Sequence, residues 1–137
     1  MCKRFIHLLS AVIIVAFLTN CSKEEPVTFE AKIDMTINSF SFAKGDEMKI
    51  SKVVVSNVTI TQGEEVQPVG SDKVERVEYF IGNRKLGEEV NAPYTFNYNI
   101  DNLKTGTHEL RVDVVFKDVP KIKRARVWAT YELTITN

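Results

Sequence analysis

The chain has 137 residues, 18 Lys and Arg against 18 Asp and Glu, two cysteines and two histidines. That length is one domain of about 100–150 residues, which excludes an enzyme with a separate cofactor domain. The zero net charge gives no support to a nucleic-acid or anionic-membrane binder, which shows a basic excess; at 44% hydrophobic and 26% charged the chain is neither disordered nor polytopic.

The first predicted element is a leader. Met1-Cys2-Lys3-Arg4 is followed by an apolar run of 14 residues, Phe5 to Leu18, and then by Thr19-Asn20-Cys21. A short basic region before such a run is the layout of a cleaved secretory signal helix, here residues 1–20. The run is shorter than the roughly 20 residues that span a bilayer. Removal of residues 1–20 leaves 117 residues, with 16 basic and 18 acidic groups and a net charge of −2. One histidine remains, His108, and one cysteine, Cys21. An intrachain disulfide is thereby excluded by counting. A Cys–His nucleophile pair and a His/Cys zinc site lack their members, and a serine triad would have to be built on His108. Carboxylate-only catalysis is not excluded, because Asp and Glu are plentiful.

Leu18-Thr19-Asn20-Cys21 resembles the lipobox of bacterial lipoproteins, although Asn20 stands where Gly or Ala is usual. The resemblance implies a diacylglycerol thioether on Cys21, and two or three acyl chains hold a protein stably on a membrane. Ser22 in the second mature position and the following Lys23-Glu24-Glu25 resemble outer-membrane sorting and surface-export signals. The alternative reading is a plain solvated tether on a periplasm-facing protein. Both readings give a lipidated cysteine and tether at 21–26 and a folded domain at 27–137.

From Val27 onward apolar residues recur with period two, mostly as β-branched and aromatic types. Val27 to Ile37 alternates Phe29, Ala31, Ile33, Met35 and Ile37 against polar residues, and reads as a half-buried strand. Asn38-Ser39 and Lys44-Gly45-Asp46-Glu47 are turn signals. Met48 to Thr61 is a Val-rich strand with Ile50, Val54, Val58 and Ile60 on one parity, and Thr61 to Asp72 reads as a polar loop. Val74 to Ile81 is a strand with Val77, Tyr79 and Ile81 on one face, Gly82-Asn83-Arg84-Lys85 a turn, and Leu86-Gly87 a short segment. Pro93 opens a strand through Tyr98, Thr107 to Lys117 forms another, and Ile122 to Thr136 the last. Seven or eight short strands without a helical stripe predict an all-β, antiparallel sandwich.

Val77-Glu78-Tyr79-Phe80-Ile81-Gly82, Leu86-Gly87, Ala92-Pro93-Tyr94-Thr95-Phe96-Asn97-Tyr98 and Leu103 to Val112 resemble, in order and spacing, the bacterial Ig-like domains of cell-surface proteins. The resemblance covers about 40 residues and implies an Ig-like β-sandwich. Gly106-Thr107-His108-Glu109-Leu110 resembles the corner of such sandwiches, which implies that His108 ties off a loop backbone group. Lys117-Asp118-Val119-Pro120-Lys121 departs from the family pattern, and residues 27–57 match it poorly.

In an Ig-like order the strands at 74–81, 108–117 and 122–136 share one sheet. Phe80, Arg111, Asp113, Arg124, Arg126 and Trp128 then form a candidate partner face, apolar anchors beside groups that fix orientation. The plain alternative is cross-strand pairing that stabilises the sheet by about 0.2–1 kcal/mol per pair. Lys117, Lys121, Lys123, Arg124 and Arg126 form a basic cluster suited to an anionic glycan or phosphate, or to guarding a solvated sheet edge. The expected protein is a non-catalytic, surface-associated lipoprotein whose single domain binds or builds, held to the membrane by its lipid. Its expected partner is a protein or a glycan, with no nucleic acid, no cofactor and no metal. The runner-up is a carbohydrate-binding accessory lipoprotein that stacks a sugar on Trp128 and Phe80.

Overall fold

Period-two alternation of β-branched and aromatic residues produces strands throughout the computed structural model, which describes residues 25–137 and the backbone of 8–9 and 12–17. In chain order they are β1 (Leu8–Leu9), β2 (Val12–Phe17), β3 (Val27–Ile37), β4 (Ser41–Ala43), β5 (Glu47–Gln62), β6 (Glu65–Pro68), β7 (Val74–Ile81), β8 (Arg84–Glu89), β9 (Phe96–Asn99), β10 (Gly106–Phe116) and β11 (Arg126–Thr136). One sheet runs β1-β2-β3-β5-β6, with β9 also paired to β5, and the second runs β4-β11-β10-β7-β8. The described residues form an all-β sandwich of these two sheets.

The core lies between the sheets, where one parity of each strand is buried. Phe29, Ala31 and Ile33 of β3 meet Val77 and Tyr79 of β7, Val112 and Val114 of β10, and Val127 and Ala129 of β11 in one continuous cluster. Phe29 and Phe116 close it at one end, edge to face with centroids 5.0 Å apart. The strands at 74–81, 106–116 and 126–136 do share a sheet.

Several details differ from the sequence reading, each for a local reason. Where a leader helix is expected, the backbone of β1 and β2 is extended, and β2 pairs antiparallel with β3 from Val12↔Lys32 to Phe17↔Val27. Val12-Ile13-Ile14-Val15 is β-branched throughout, and the edge of β3 offers it free backbone groups. The expected loop at 61–72 contains β6, which turns back on β5 through Gly63 at φ +62°. Every residue of β6 is exposed, so no alternation marks it. On β5 the buried set changes parity, Met48 and Ile50, then Val53, then Val58 and Ile60, leaving Val54 exposed. Register shifts against β3 at Glu30/Lys32 and Thr36/Ile37 are the cause, because each bulge reverses which side chains face the core. The last strand begins at Arg126 rather than Ile122, since Asp118 and Lys121 adopt positive φ and hold 117–125 as a loop. Pairing is antiparallel except where β4 lies parallel to β11.

The Leu86-Gly87 step has a steric origin. Tyr79 stacks on Phe96 with centroids 4.5 Å apart and planes 6° from parallel, and its hydroxyl donates to the Tyr94 carbonyl. Gly87 lies opposite Tyr79 in the β7–β8 pairing, and a Cβ there would stand 2.7 Å from Phe96 Cε1. Phe96 thus occupies the space that a side chain at 87 would need. Gly87→Ala is expected to lower stability by about 1–3 kcal/mol through overpacking, read as the shift in a urea denaturation midpoint. Combined with Phe96→Leu, the two losses should fall short of additive; full additivity would show that the ring is not what excludes the methyl group.

Candidate functional site

The outer face of the second sheet presents the residues that alternate with the core set on β7, β10 and β11. Pairing places them in three cross-strand rows. Glu88, Glu78 and Asp113 stand directly opposite one another across β8, β7 and β10, with Trp128 of β11 completing that row. On one side lies the row Lys85, Phe80 and Arg111, and on the other Arg76, Val115 and Arg126. Like charges directly opposite each other destabilise a sheet, so the acidic row requires the basic side chains that flank it.

The flanking cations reach across diagonally. Arg126 Nη1 donates to both carboxylates, 2.8 Å to Glu78 Oε1 and 2.6 Å to Asp113 Oδ2. Arg76 Nε donates to Glu78 Oε2 at 2.8 Å, Lys85 Nζ to the same oxygen at 3.1 Å, and Arg111 Nε to Asp113 Oδ1 at 2.8 Å. Glu78 is only 5% exposed and Asp113 2%, although both point away from the core. The neighbouring long side chains cover them. Arg111 also lies over the Phe80 ring, its Cζ 4.4 Å from the centroid, an arrangement that attracts through the ring quadrupole. Trp128 is half-buried and packs against the apolar cluster.

Burial by itself would raise the Glu78 carboxyl, but hydrogen bonds from Arg76, Lys85 and Arg126 outweigh it and hold the group at about 2. Arg126 is raised in turn, burial opposing and the Asp113 and Glu78 hydrogen bonds prevailing. Glu78 therefore stays ionised within this paired network at neutral pH.

Of the residues assigned to this face from sequence, Phe80, Arg111, Asp113, Arg126 and Trp128 lie on it together. Arg124 does not, because β11 begins two residues later; it is exposed on the β10–β11 connection. Glu78, Arg76 and Lys85 complete the network. Arg76 and Glu78 share the parity of Phe80, which is a legible signal, whereas Lys85 depends on the β7–β8 register and its bulge between Tyr79 and Phe80. His108 stands at the start of β10, with Nε2 2.6 Å from the Lys104 carbonyl oxygen, so that nitrogen carries the donated proton. Cys21 lies outside the described residues. Among the described residues no group of three or more His, Cys, Asp or Glu is arranged to hold a metal ion.

Residues 54–112, from the middle of β5 into β10, match the family described as bacterial Ig domain. Over these residues the chain is similar to that family. A similar solved structure is that of the fibronectin(III)-like modules of Clostridium thermocellum CbhA, 20% identical, covering 75% of this chain and 96% of that one with a TM-score of 0.48. No curated protein matches the chain. That family match ends at Val112, so of the outer face it takes in Arg76, Glu78, Phe80, Lys85, Glu88 and Arg111, and leaves out Asp113, Arg126 and Trp128.

The second sheet carries a defined acid sensitivity. Glu78 is depressed from an ordinary value of 4.5 to about 2, so its contribution is fully present above pH 4.5 and is lost as pH falls from about 4.5 towards 2. A shift of that size corresponds to roughly 3 kcal/mol. Glu78→Gln should reduce stability at pH 7 by about 2–3 kcal/mol, because Arg76 and Arg126 lose a carboxylate partner. It should also flatten the decline in stability below pH 4.5, measured by urea denaturation across that range. An unchanged acid limb in the variant would assign the acid sensitivity to other groups.

Proposed function

We propose that this protein is a lipid-anchored lipoprotein of the outer membrane, displayed at the cell surface, whose single Ig-like domain serves as a non-catalytic structural or binding module. On this reading cleavage removes residues 1–20, and β1 and β2 with them; the observation that carries it is how the remaining chain then enters the sandwich. β3 begins at Val27, six residues after Cys21 in the sequence. A domain joined so closely to an acylated residue is mounted by one end, which leaves the sheet faces free beside the membrane.

The state of the ionisable groups supports a non-catalytic role. Glu78 and Asp113 are the buried carboxylates of the face, and both are engaged by arginines. A carboxyl held at about 2 has no proton to give at neutral pH. The face favours a protein partner over a sugar: one side of the Phe80 ring is occupied by Arg111, and Trp128 is packed against the core. A sugar-stacking site presents an open aromatic ring.

Expression of the full chain in a Gram-negative host, with mass measurement of the N-terminal peptide, tests the anchor. The expected result is a peptide beginning at Cys21 with the added mass of its acyl chains, and Cys21→Ala should move the protein out of the membrane fraction. An unmodified Cys21 in the wild-type chain would sink the lipoprotein reading. Protease treatment of intact cells should digest the domain; complete survival would place it inside the outer membrane.

A further inference from the structure

The three cations that the network leaves unused gather at one place. The loop 117–125, the start of β7 and the start of β11 enclose an open concavity of about 580 Å³ lined by Arg76, Lys117, Lys123, Arg124 and Arg126. Arg76 and Arg126 are committed to Glu78 and Asp113. The concavity also contains Glu75, which is paired to Arg76, and Asp118. Lys117, Lys123 and Arg124 are exposed and have no carboxylate partner among the described residues. An excess of unpaired cations around a concave surface is the electrostatic footprint of an anion site.

Its position in the fold narrows the anion. Lys121, in the same loop, donates to Gln62 Oε1 at 2.8 Å, and Gln62 Nε2 donates to the carbonyl of Glu25 at 3.2 Å. One side chain thus joins the basic loop to the last residues of the tether. Glu25 lies four positions after Cys21, a reach of at most about 14 Å for extended chain. That distance is about one and a half times the roughly 8–10 Å over which charges act at ordinary salt. If Cys21 is acylated, the concavity cannot stand far from lipid headgroups.

We propose that this concavity receives the phosphate of an anionic lipid headgroup in the membrane that holds the tether, so that the sandwich stands on that membrane by its Lys117–Arg126 end. The inference rests on the lipid-anchored reading above. It adds a second attachment to the acyl chains, since a basic cluster near the surface and a lipid together bind more firmly than either alone. It also sets the orientation: the turn at 44–46 and the start of β10, at the opposite end of the strands, point away from the membrane, and the outer face of the second sheet stands upright beside it.

The test uses the full chain, expressed with its leader and processed by the host. It is reconstituted into lipid nanodiscs of phosphatidylcholine alone or of phosphatidylcholine mixed with phosphatidylglycerol. Acylation of lysines by a water-soluble ester is followed peptide by peptide, with Lys104, in the connection before β10, as internal reference. Phosphatidylglycerol should slow modification of Lys117 and Lys123 about tenfold relative to Lys104 at low salt. High salt should abolish the difference, and Arg124→Gln should reduce the protection of Lys123. Equal rates in the two lipids, or equal protection of Lys104, would overturn the proposal. So would protection by a soluble sulfated polysaccharide where phosphatidylglycerol gives none, which would make the site a glycan site. The mass of the N-terminal peptide is read in the same samples. An unlipidated Cys21 together with specific protection would refute the anchor and leave the headgroup contact standing.

Discussion

The structure turns on Arg126 and the two carboxylates it bridges. Direct cross-strand pairing sets Glu78 against Asp113, and two buried anions in register would drive β7 and β10 apart. Arg126 supplies one guanidinium to both, while Arg76, Lys85 and Arg111 satisfy the remaining oxygens. Because the central strands of the second sheet are joined through this layer, the sheet has charge on its outside and hydrocarbon on its inside, both in ordered packing. A carboxylate is stable at this depth only if nearly every lone pair has a donor, and here the neighbouring rows supply them.

The same alternation that makes the core makes the face. Residues of one parity on β7, β10 and β11 form an apolar cluster and residues of the other parity form the ion network, so the candidate recognition surface belongs to the scaffold rather than to appended loops. Loops contribute at the two ends instead. At one end, Glu25, Gln62 and Lys121 connect the residues just before β3 to the basic loop. At the other, Lys44 donates to the Leu103 carbonyl, and the Gly45 amide donates to Asp101 at 2.7 Å, closing one turn on another.

Much of this was legible before any coordinates. The alternation at Val77, Tyr79 and Ile81, at Val112 and Val114, and at Val127 and Ala129 assigns inward and outward residues correctly, because regular strands have a side-chain period of two. The bulged strand β5 was not legible in the same way. Its Val-rich run suits either parity, and only pairing with β3 decides where the register slips and Val54 turns outward. β6 has no mark in the sequence because all its residues are exposed and it is held by backbone bonds to β5. Ile122 to Thr136 keeps alternating and so predicts Arg124 on the sheet, yet Asp118 and Lys121 at positive φ delay the strand until Arg126.

By itself, the sequence determined the fold class, the core-facing parity of the central strands, and the identity of five residues on one outer face. These follow from local periodicity and from burial of apolar area, which need only the order of residues along each strand. Tertiary structure alone decided which charges meet. Glu78 and Asp113 lie 35 positions apart, and their partners come from four strands, so ion pairing depends on register between strands rather than on pattern within one. Chain entry and basic loop likewise come together only through Gln62, the last residue of a strand that neither belongs to.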